Sequence, residues 1–291
     1  MNVEQEFEHE RRRLRSIAYR MLGSLEDADD VVQEAWLRWD GIGADGRAAV
    51  TNPPAWLTTT ATRLALDRLK SAQRQREEYV GPWLPEPVLT DSDPAVSVEL
   101  TESLTLGFLS VLERLAPVER AVFLLAEVFD EPYAVIAPTV GRSEEACRQI
   151  ASRARRRVRD ERPRFEPMER RDDLVAAFVA ACADGRLEAL RKVLADDVVL
   201  VSDGGPNVHA ARRPVRGVYR VGRLLANLVK RIPDGTSMEF HDVNGEAGLL
   251  VRRDGVPWYV VALEERDGHV AAIRLVINPD KLHRIDTPAV L

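Results

Sequence analysis

The sequence predicts a multidomain chain of three modules. Two are all-α, the second carrying a helix-turn-helix, and the third is a C-terminal α+β module, cone-shaped, with a curled antiparallel sheet. Three observations predict this. Residues 115–159 run from an amphipathic segment through a short apolar one and a glycine turn into a helix studded with arginines. Proline-rich breaks, one at 77–95 and one marked by Pro163 and Pro167, interrupt the helical pattern. Beyond them, Asn244-Gly245, Asp254-Gly255 and Asp267-Gly268 separate β-rich runs, and such dipeptides are the strongest short hairpin signals.

Composition bounds what these modules can do. The chain has 291 residues, 45% of them hydrophobic and 30% charged, enough for several packed cores. Its net charge of −6 excludes a protein that holds nucleic acid by bulk positive charge, so any DNA contact must be local. Two cysteines, Cys147 and Cys182, make no disulfide framework and point to a reducing, cytoplasmic compartment. The start of the chain lacks an apolar targeting core, and no run approaches the ~18 apolar residues of a membrane span.

The elements follow in order. Leu14, Ile17, Ala18, Met21 and Leu22 recur at helical spacing, and Gly23 stops that helix. Residues 24–27 open a second helix whose acidic first turn suits the helix dipole. A glycine-rich loop follows, then a third helix that starts at Pro53-Pro54. The segment 77–97, rich in proline and acid and without a period, reads as a linker. A second helical block spans 98–162 and contains the helix-turn-helix. Two helices, a VVLVSDGG segment, another helix at 217–232 and four strand-like runs make up 169–285.

Within the helix-turn-helix, Gly141 sits at the turn. Ile136, Val140, Cys147 and Ile150 occupy the apolar positions, Ala137 supplies the small residue at the crossing, and Ser143 is the expected N-cap. Arg148, Gln149, Ser152, Arg153, Arg155 and Arg156 then project over several turns. Arginine can grip guanine edges or phosphates, and glutamine can read adenine. Pro138 fits poorly, because it deletes the bond to Ala134, with a shortened or kinked helix as the expected consequence. Earlier, Asp27, Asp29, Asp30, Gln33 and Glu34 form an acidic cluster. Asp30, Gln33 and Glu34 fall on one helical strip, either a solvated face or a dock for a basic helix. On the third helix, Thr58, Thr59 and Thr60 beside Arg63 suit contact with a DNA strand or belong to a plain core helix.

EDADDVVQEAWLRW, NPPAWLTTTATRLALDRLKS and the helix-turn-helix with ASRARRR resemble the two domains of extracytoplasmic-function sigma factors, the small subunits that direct bacterial RNA polymerase to promoters. The resemblance covers residues 5–162, with a sigma-2 domain at 1–76 and a sigma-4 domain at 98–162. YVGPWLPEP in the linker and NPDKL at 278–282 resemble the subgroup with a fused SnoaL-like domain, a cone-shaped fold that suits 169–285. The resemblance implies that Asp30, Gln33 and Glu34 bind core RNA polymerase. It implies that Asn52, Trp56, Thr59, Arg63 and Asp67 open and read the −10 element of promoter DNA, and that Arg142, Ser143, Arg148, Gln149 and Arg153 read the −35 element. The acidic linker would run through a basic polymerase channel.

Asp203, Gly204, Gly205, Asn278, Pro279, Asp280 and Lys281 are the residues through which the third domain would regulate the other two in cis, with no separate anti-sigma protein needed. The sequence departs from the subgroup here. Its DGGGK-like loop is Asp203-Gly204-Gly205-Pro206-Asn207, so the contact made by that loop is in question. Asp203, His209, His241 and Trp258 are candidates for cavity chemistry, but no pair has diagnostic spacing. The expectation is therefore no catalysis, no cofactor and no metal, with an unidentified small ligand left open. Two other functions stay open on the residues alone: a ligand-responsive helix-turn-helix regulator, and a SnoaL-like enzyme with a helical appendage.

Overall fold

The computed structural model describes residues 3–91, 103–161, 171–287 and 291. Part of the linker (92–97), Pro163 and Pro167 lie outside the described residues. The chain divides into two compact units. One contains the residues up to Glu78, those from Leu109 to the end of the helix-turn-helix, and Leu291. The other contains Tyr79–Phe108 and the C-terminal α+β region.

The first unit is helical. Helix α1 (Val3–Leu22) buries Leu14, Ile17, Ala18, Met21 and Leu22 on the predicted face. It ends at Gly23, which is left-handed with φ 67° and whose N–H bonds Tyr19 O at 2.6 Å. Ser24 caps α2 (Leu25–Gly41) by accepting from Asp27 N. The glycine loop contains a short helix, α3 (Gly43–Ala48). Asn52 caps α4 (Pro53–Glu77), its side chain accepting from Ala55 N at 3.1 Å. Helices α1, α2 and α4 pack around Trp39, Leu57 and Leu69.

Helix α5 (Leu106–Leu112) leads into α6 (Pro117–Glu127), α7 (Tyr133–Val140) and α8 (Glu144–Glu161). Two arginines are buried inside this unit. Arg20 donates to the Ser16 hydroxyl and lies 5.5 Å from the Phe129 ring centroid; burial lowers its pKa to about 9. Arg120 donates to Met21 O and to Glu113, each at 2.7 Å.

The second unit is an α+β sandwich. Helices α9 (Arg171–Asp184), α10 (Leu187–Arg191) and α11 (Val218–Val229) accompany strands β1 (Leu194–Asp203), β2 (Val215–Arg216), β3 (Thr236–Val243), β4 (Glu246–Arg253), β5 (Val256–Arg266) and β6 (His269–Val276). The sheet order is β2-β1-β6-β5-β4-β3. The three predicted turns carry positive φ at both central residues, Asn244-Gly245, Asp254-Gly255 and Asp267-Gly268, which matches the twist of hairpin strands. The sheet is not wholly antiparallel, because β1 pairs with β6 in parallel. A long crossover through α11 and β3–β5 delivers β6 alongside β1, so no hairpin joins them.

Both sheet faces are buried. Phe178, Leu190, Val221 and Leu225 from the helices cover Leu249, Val251, Val261 and Ile273. Leu84 from the linker and Leu106 of α5, with Leu282 of helix α12 (Pro279–Leu282), cover Leu250, Val260, Ala262 and Val276. Alternate residues of β4 thus go to opposite cores, which explains its unbroken apolar run.

Candidate nucleic-acid interface

The helix-turn-helix forms as its spacing predicts. Pro138 is accommodated inside α7, which runs through it to Val140. Gly141 takes the left-handed conformation (φ 65°, ψ 44°), and its N–H bonds Ala137 O, as a helix end followed by a sharp turn requires. The Ser143 hydroxyl accepts from Ala146 N at 3.2 Å. Ile136, Ala137 and Cys147 are buried, Val140 and Ile150 half-buried. Burial raises the Cys147 pKa above its ordinary value, so the thiol is a core group.

Helix α8 buries Cys147, Ala151, Ala154 and Val158. Arg142, Arg148, Gln149, Ser152, Arg153 and Arg156 are exposed. Arg148 is braced, bonding Glu144 at 2.7 Å and lying 5.1 Å from the Tyr133 ring centroid. Arg155 is exposed too, but its guanidinium is engaged in a two-pronged bond with Glu127 at 2.5 and 2.7 Å.

The acidic strip on α2 is also as spaced. Asp30 and Gln33 are exposed and Glu34 is partly so, while Val31, Val32 and Ala35 are buried beneath. Arg68 of α4 reaches Asp30 at 3.0 Å, and Arg38 reaches Glu34 at 2.6 Å. Leu37 is 60% exposed and stands one and two turns along from Gln33 and Asp30, so the strip ends in an apolar anchor. Helical spacing alone could have flagged Leu37. A groove of about 580 Å³ opens beside the strip, with Gln33, Asp29, Trp36 and Phe7 among its walls.

Asn52, Trp56, Thr59, Arg63 and Asp67 lie three or four residues apart along α4, which makes one stripe. The structure gives them different duties. The Asn52 side chain caps the helix. Trp56 stacks at a tilt on Trp39, centroids 5.1 Å apart. Asp67 bonds Lys70 at 3.0 Å on the surface. Thr59 and Arg63 face α7, bonding Thr139 and the backbone carbonyls of Pro138 and Thr139. Of the three adjacent threonines, Thr58 and Thr60 are buried, so only Thr59 belongs to the stripe.

A second cluster lies within the α+β unit. Asp203, fully buried, accepts from the Tyr79 hydroxyl at 2.6 Å, from Leu84 N at 2.8 Å and from Gly205 N at 3.0 Å, and it pairs with Lys281 Nζ at 2.7 Å. The Lys281 ammonium also lies 4.1 Å from the Trp83 ring centroid. Asn278 caps α12 through Asp280 N and donates to the Tyr79 hydroxyl at 3.0 Å. Pro279 and Asp280 form the first turn of that helix. A Cβ on Gly204 would meet Val208 O at 2.5 Å, and one on Gly205 would meet Asn278 Nδ2 at 2.7 Å. The loop thus makes its contact with the linker through Asp203 and needs no lysine of its own, since Lys281 supplies the cation.

The linker continues along the sheet edge. Val88 and Asn244 exchange bonds of 2.9 and 2.7 Å, and Leu89 bridges Val243. Asn244 also donates to Leu104 O, and Glu246 accepts from Leu106 N. Glu246 and Glu264 flank the buried Arg274. Burial alone would lower its pKa, but the two carboxylates outweigh that and hold it above its ordinary value.

Of the residues considered for cavity chemistry, Asp203 is therefore committed to the linker, and His241 bonds Asp91. Trp258 stacks on Tyr259, and His209 is exposed. Burial pushes the Cys182 thiol up to about 12. Among the described residues no side-chain cluster could hold a metal ion, and no helix is long and apolar enough to cross a membrane.

Burial and the bond to Asp203 raise the Tyr79 pKa well above its ordinary value. A raised folded-state pKa means the stability contribution is whole below the unfolded value, about 10 for tyrosine, and is lost as pH climbs through the folded one. Above pH ~10 the wild type should therefore lose stability more steeply than Tyr79→Phe. Parallel slopes in denaturant melts across that range would refute the Tyr79–Asp203 bond.

Comparisons with known proteins agree with this geometry. Sigma-70 region 2 matches residues 7–75, and sigma-70, region 4 matches residues 106–158. The chain is 40% identical over 290 residues to the ECF RNA polymerase sigma factor SigJ of Mycobacterium tuberculosis, with 95% of this chain and 92% of that one covered. It is 33% identical over 271 residues to a probable ECF RNA polymerase sigma factor, SigI, of the same species, covering 91% and 90%. The crystal structure of SigJ superposes with a TM-score of 0.76 at 38% identity, covering 95% of this chain and 97% of that one.

Proposed function

Because the chain belongs to the family of ECF RNA polymerase sigma factors, we propose a division of labour among its surfaces. The α2 strip of Asp30, Gln33 and Glu34, extended by Leu37, docks on a basic helix of core polymerase. The α4 stripe of Asn52, Trp56, Thr59, Arg63 and Asp67 opens and reads the −10 element. Arg142, Ser143, Arg148, Gln149 and Arg153 position α8 on the −35 element. Ser143 contributes as the helix cap, because its hydroxyl is already engaged. The single observation that carries this reading is the pairing of an exposed acidic strip with an exposed cationic row in one chain of net charge −6. Local surfaces do what bulk charge cannot.

The α+β unit regulates in cis by retaining the linker. Asp203, Asn278 and Lys281 hold its first half, and Asn244 holds its second through Val88. A linker laid on the sheet cannot thread a polymerase channel, so its release accompanies assembly. The enclosure of Asp203 and the commitment of His241 support regulation over catalysis. No separate anti-sigma protein is required, and the chain works where polymerase is, in the cytoplasm.

The recognition helix supplies a direct test. Arg148→Ala and Arg153→Ala should each weaken binding to a −35 duplex by about 1–3 kcal/mol, roughly 5- to 150-fold. Arg155→Ala should change it little, since Arg155 is tied to Glu127. Electrophoretic mobility shifts on a selected promoter measure this. Equal losses at all three positions would contradict the assigned orientation of α8.

A further inference from the structure

Residues 204–233 contain seven lysines and arginines and no aspartate or glutamate, inside a chain of net charge −6. Helix α11 carries the centre of this run. Val218, Val221, Gly222 and Leu225 form its buried face. Arg220, Arg223, Asn227 and Lys230 recur three or four residues apart on the other side, and all are exposed. That row spans about 15 Å along the helix. Arg231 follows it, and Arg212, Arg213 and Arg216 lead into it, all exposed. Among the described residues, the side chains of these seven cations enter no ion pair and no hydrogen bond. By contrast, Arg148 of α8 pairs with Glu144, Arg155 with Glu127 and Arg252 with Asp286.

Folding explains only two of the seven. Lys230 and Arg231 suit the negative, C-terminal end of the α11 dipole. Arg220 lies in the first turn, where the dipole is positive and a cation is disfavoured. The N-cap there is Gly217, which has no side chain to accept a first-turn N–H. Arg220 and Arg223 are neighbours one turn apart and repel each other. Tyr219 stands 59% exposed in the same turn, with Arg191 Cζ 5.1 Å from its ring centroid. A polyanion with regularly spaced charges relieves these costs together. Duplex DNA carries one negative charge per about 1.7 Å of its axis, and it is the polyanion on which this family acts.

We propose that the exposed face of α11 is a second DNA-binding surface, which holds the phosphate backbone of a duplex and reads no sequence. Contacts to phosphate position a protein without specifying bases. The surface is separate from α8 and stands whether or not the −35 assignments hold.

The test uses the full chain and two duplexes, one bearing a selected promoter and one of unrelated sequence. Fluorescence anisotropy over a salt series reads binding. Arg220→Gln, Arg223→Gln and Lys230→Gln combined should weaken binding to both duplexes at least tenfold at about 50 mM salt. The slope of log affinity against log salt should become shallower by about 2.7, since each lost phosphate contact removes about 0.9. Arg220→Lys with Arg223→Lys keeps the charges and should bind as the wild type does.

Unchanged affinity and slope in the glutamine variant would overturn the proposal. So would a loss confined to the promoter duplex, or a wild type that does not bind the unrelated duplex at all. A glutamine variant that binds DNA normally but no longer joins core polymerase would assign the face to an acidic protein surface instead. The substituted positions are exposed, so the melting temperature should hold. If it falls, Arg212→Gln with Arg213→Gln, outside the helix, carries the same expectation with a slope change of about 1.8.

Discussion

Lysine at both Asp30 and Glu34 should abolish assembly with core RNA polymerase, with affinity falling at least 100-fold and promoter-dependent transcription disappearing. The size of the effect comes from reversal. Each substitution removes an attraction and installs a like-charge clash against a basic partner, and such juxtapositions cost several kcal/mol, where ~2.8 kcal/mol already gives 100-fold. The fold should survive. The Asp30 and Glu34 side chains are 55% and 40% exposed, and exposed pairs such as Arg68–Asp30 contribute at most about 1 kcal/mol. Binding of α8 to a −35 duplex should be unchanged in the same preparation. A conventional helix-turn-helix regulator would keep all its activity through this substitution. Gel filtration with core polymerase reads the result, and co-elution of the variant would remove the docking assignment.

Asp203→Ala should release the linker from the α+β unit. The carboxylate is buried and serves four partners, so its loss leaves Lys281 without its counter-charge and the Tyr79 hydroxyl without that acceptor in a largely buried site. Breaking one side of a buried pair costs about 3–5 kcal/mol, which corresponds to a drop of roughly 10 °C in the melting of a unit this size. The Trp83–Leu84 bond, whose N–H Asp203 holds, should become a site for chymotrypsin. Asp203→Asn keeps the acceptor for Leu84 N and should lie between variant and wild type. If linker retention restrains the chain, transcription per folded molecule rises in Asp203→Ala. A variant that melts normally and resists the protease would contradict the role given to this residue.

The elements that could be read from sequence were those whose signals are local. Gly141 and Ser143 fix the helix-turn-helix because a left-handed turn and a cap each need a particular residue type. The Asn-Gly and Asp-Gly pairs fix three hairpins for the same reason. The parallel pairing of β1 with β6 was not legible, because it joins segments about 70 residues apart and leaves no trace in either strand's period.

Nor was the linker's order. Its backbone is satisfied by Asp203, Asp242 and Asn244 and not by a ladder of its own, so it shows prolines and acids but no period. Arg20 and Arg120 are core residues, which residue type alone does not announce. Among the site residues, the strip on α2 and the row on α8 lie where helical spacing puts them. The engagement of Thr59 and Arg63 with Pro138 and Thr139 could not be seen, since each partner's own spacing is consistent with a free surface.

This chain selects promoters for RNA polymerase. Transcription of sheared genomic DNA by core polymerase, with and without the purified chain, tests it most directly when the RNA 5′ ends are sequenced. Start sites that appear only with the chain, and that share two upstream motifs at one fixed separation, are the predicted result. A set of start sites identical to that of core polymerase alone would contradict it.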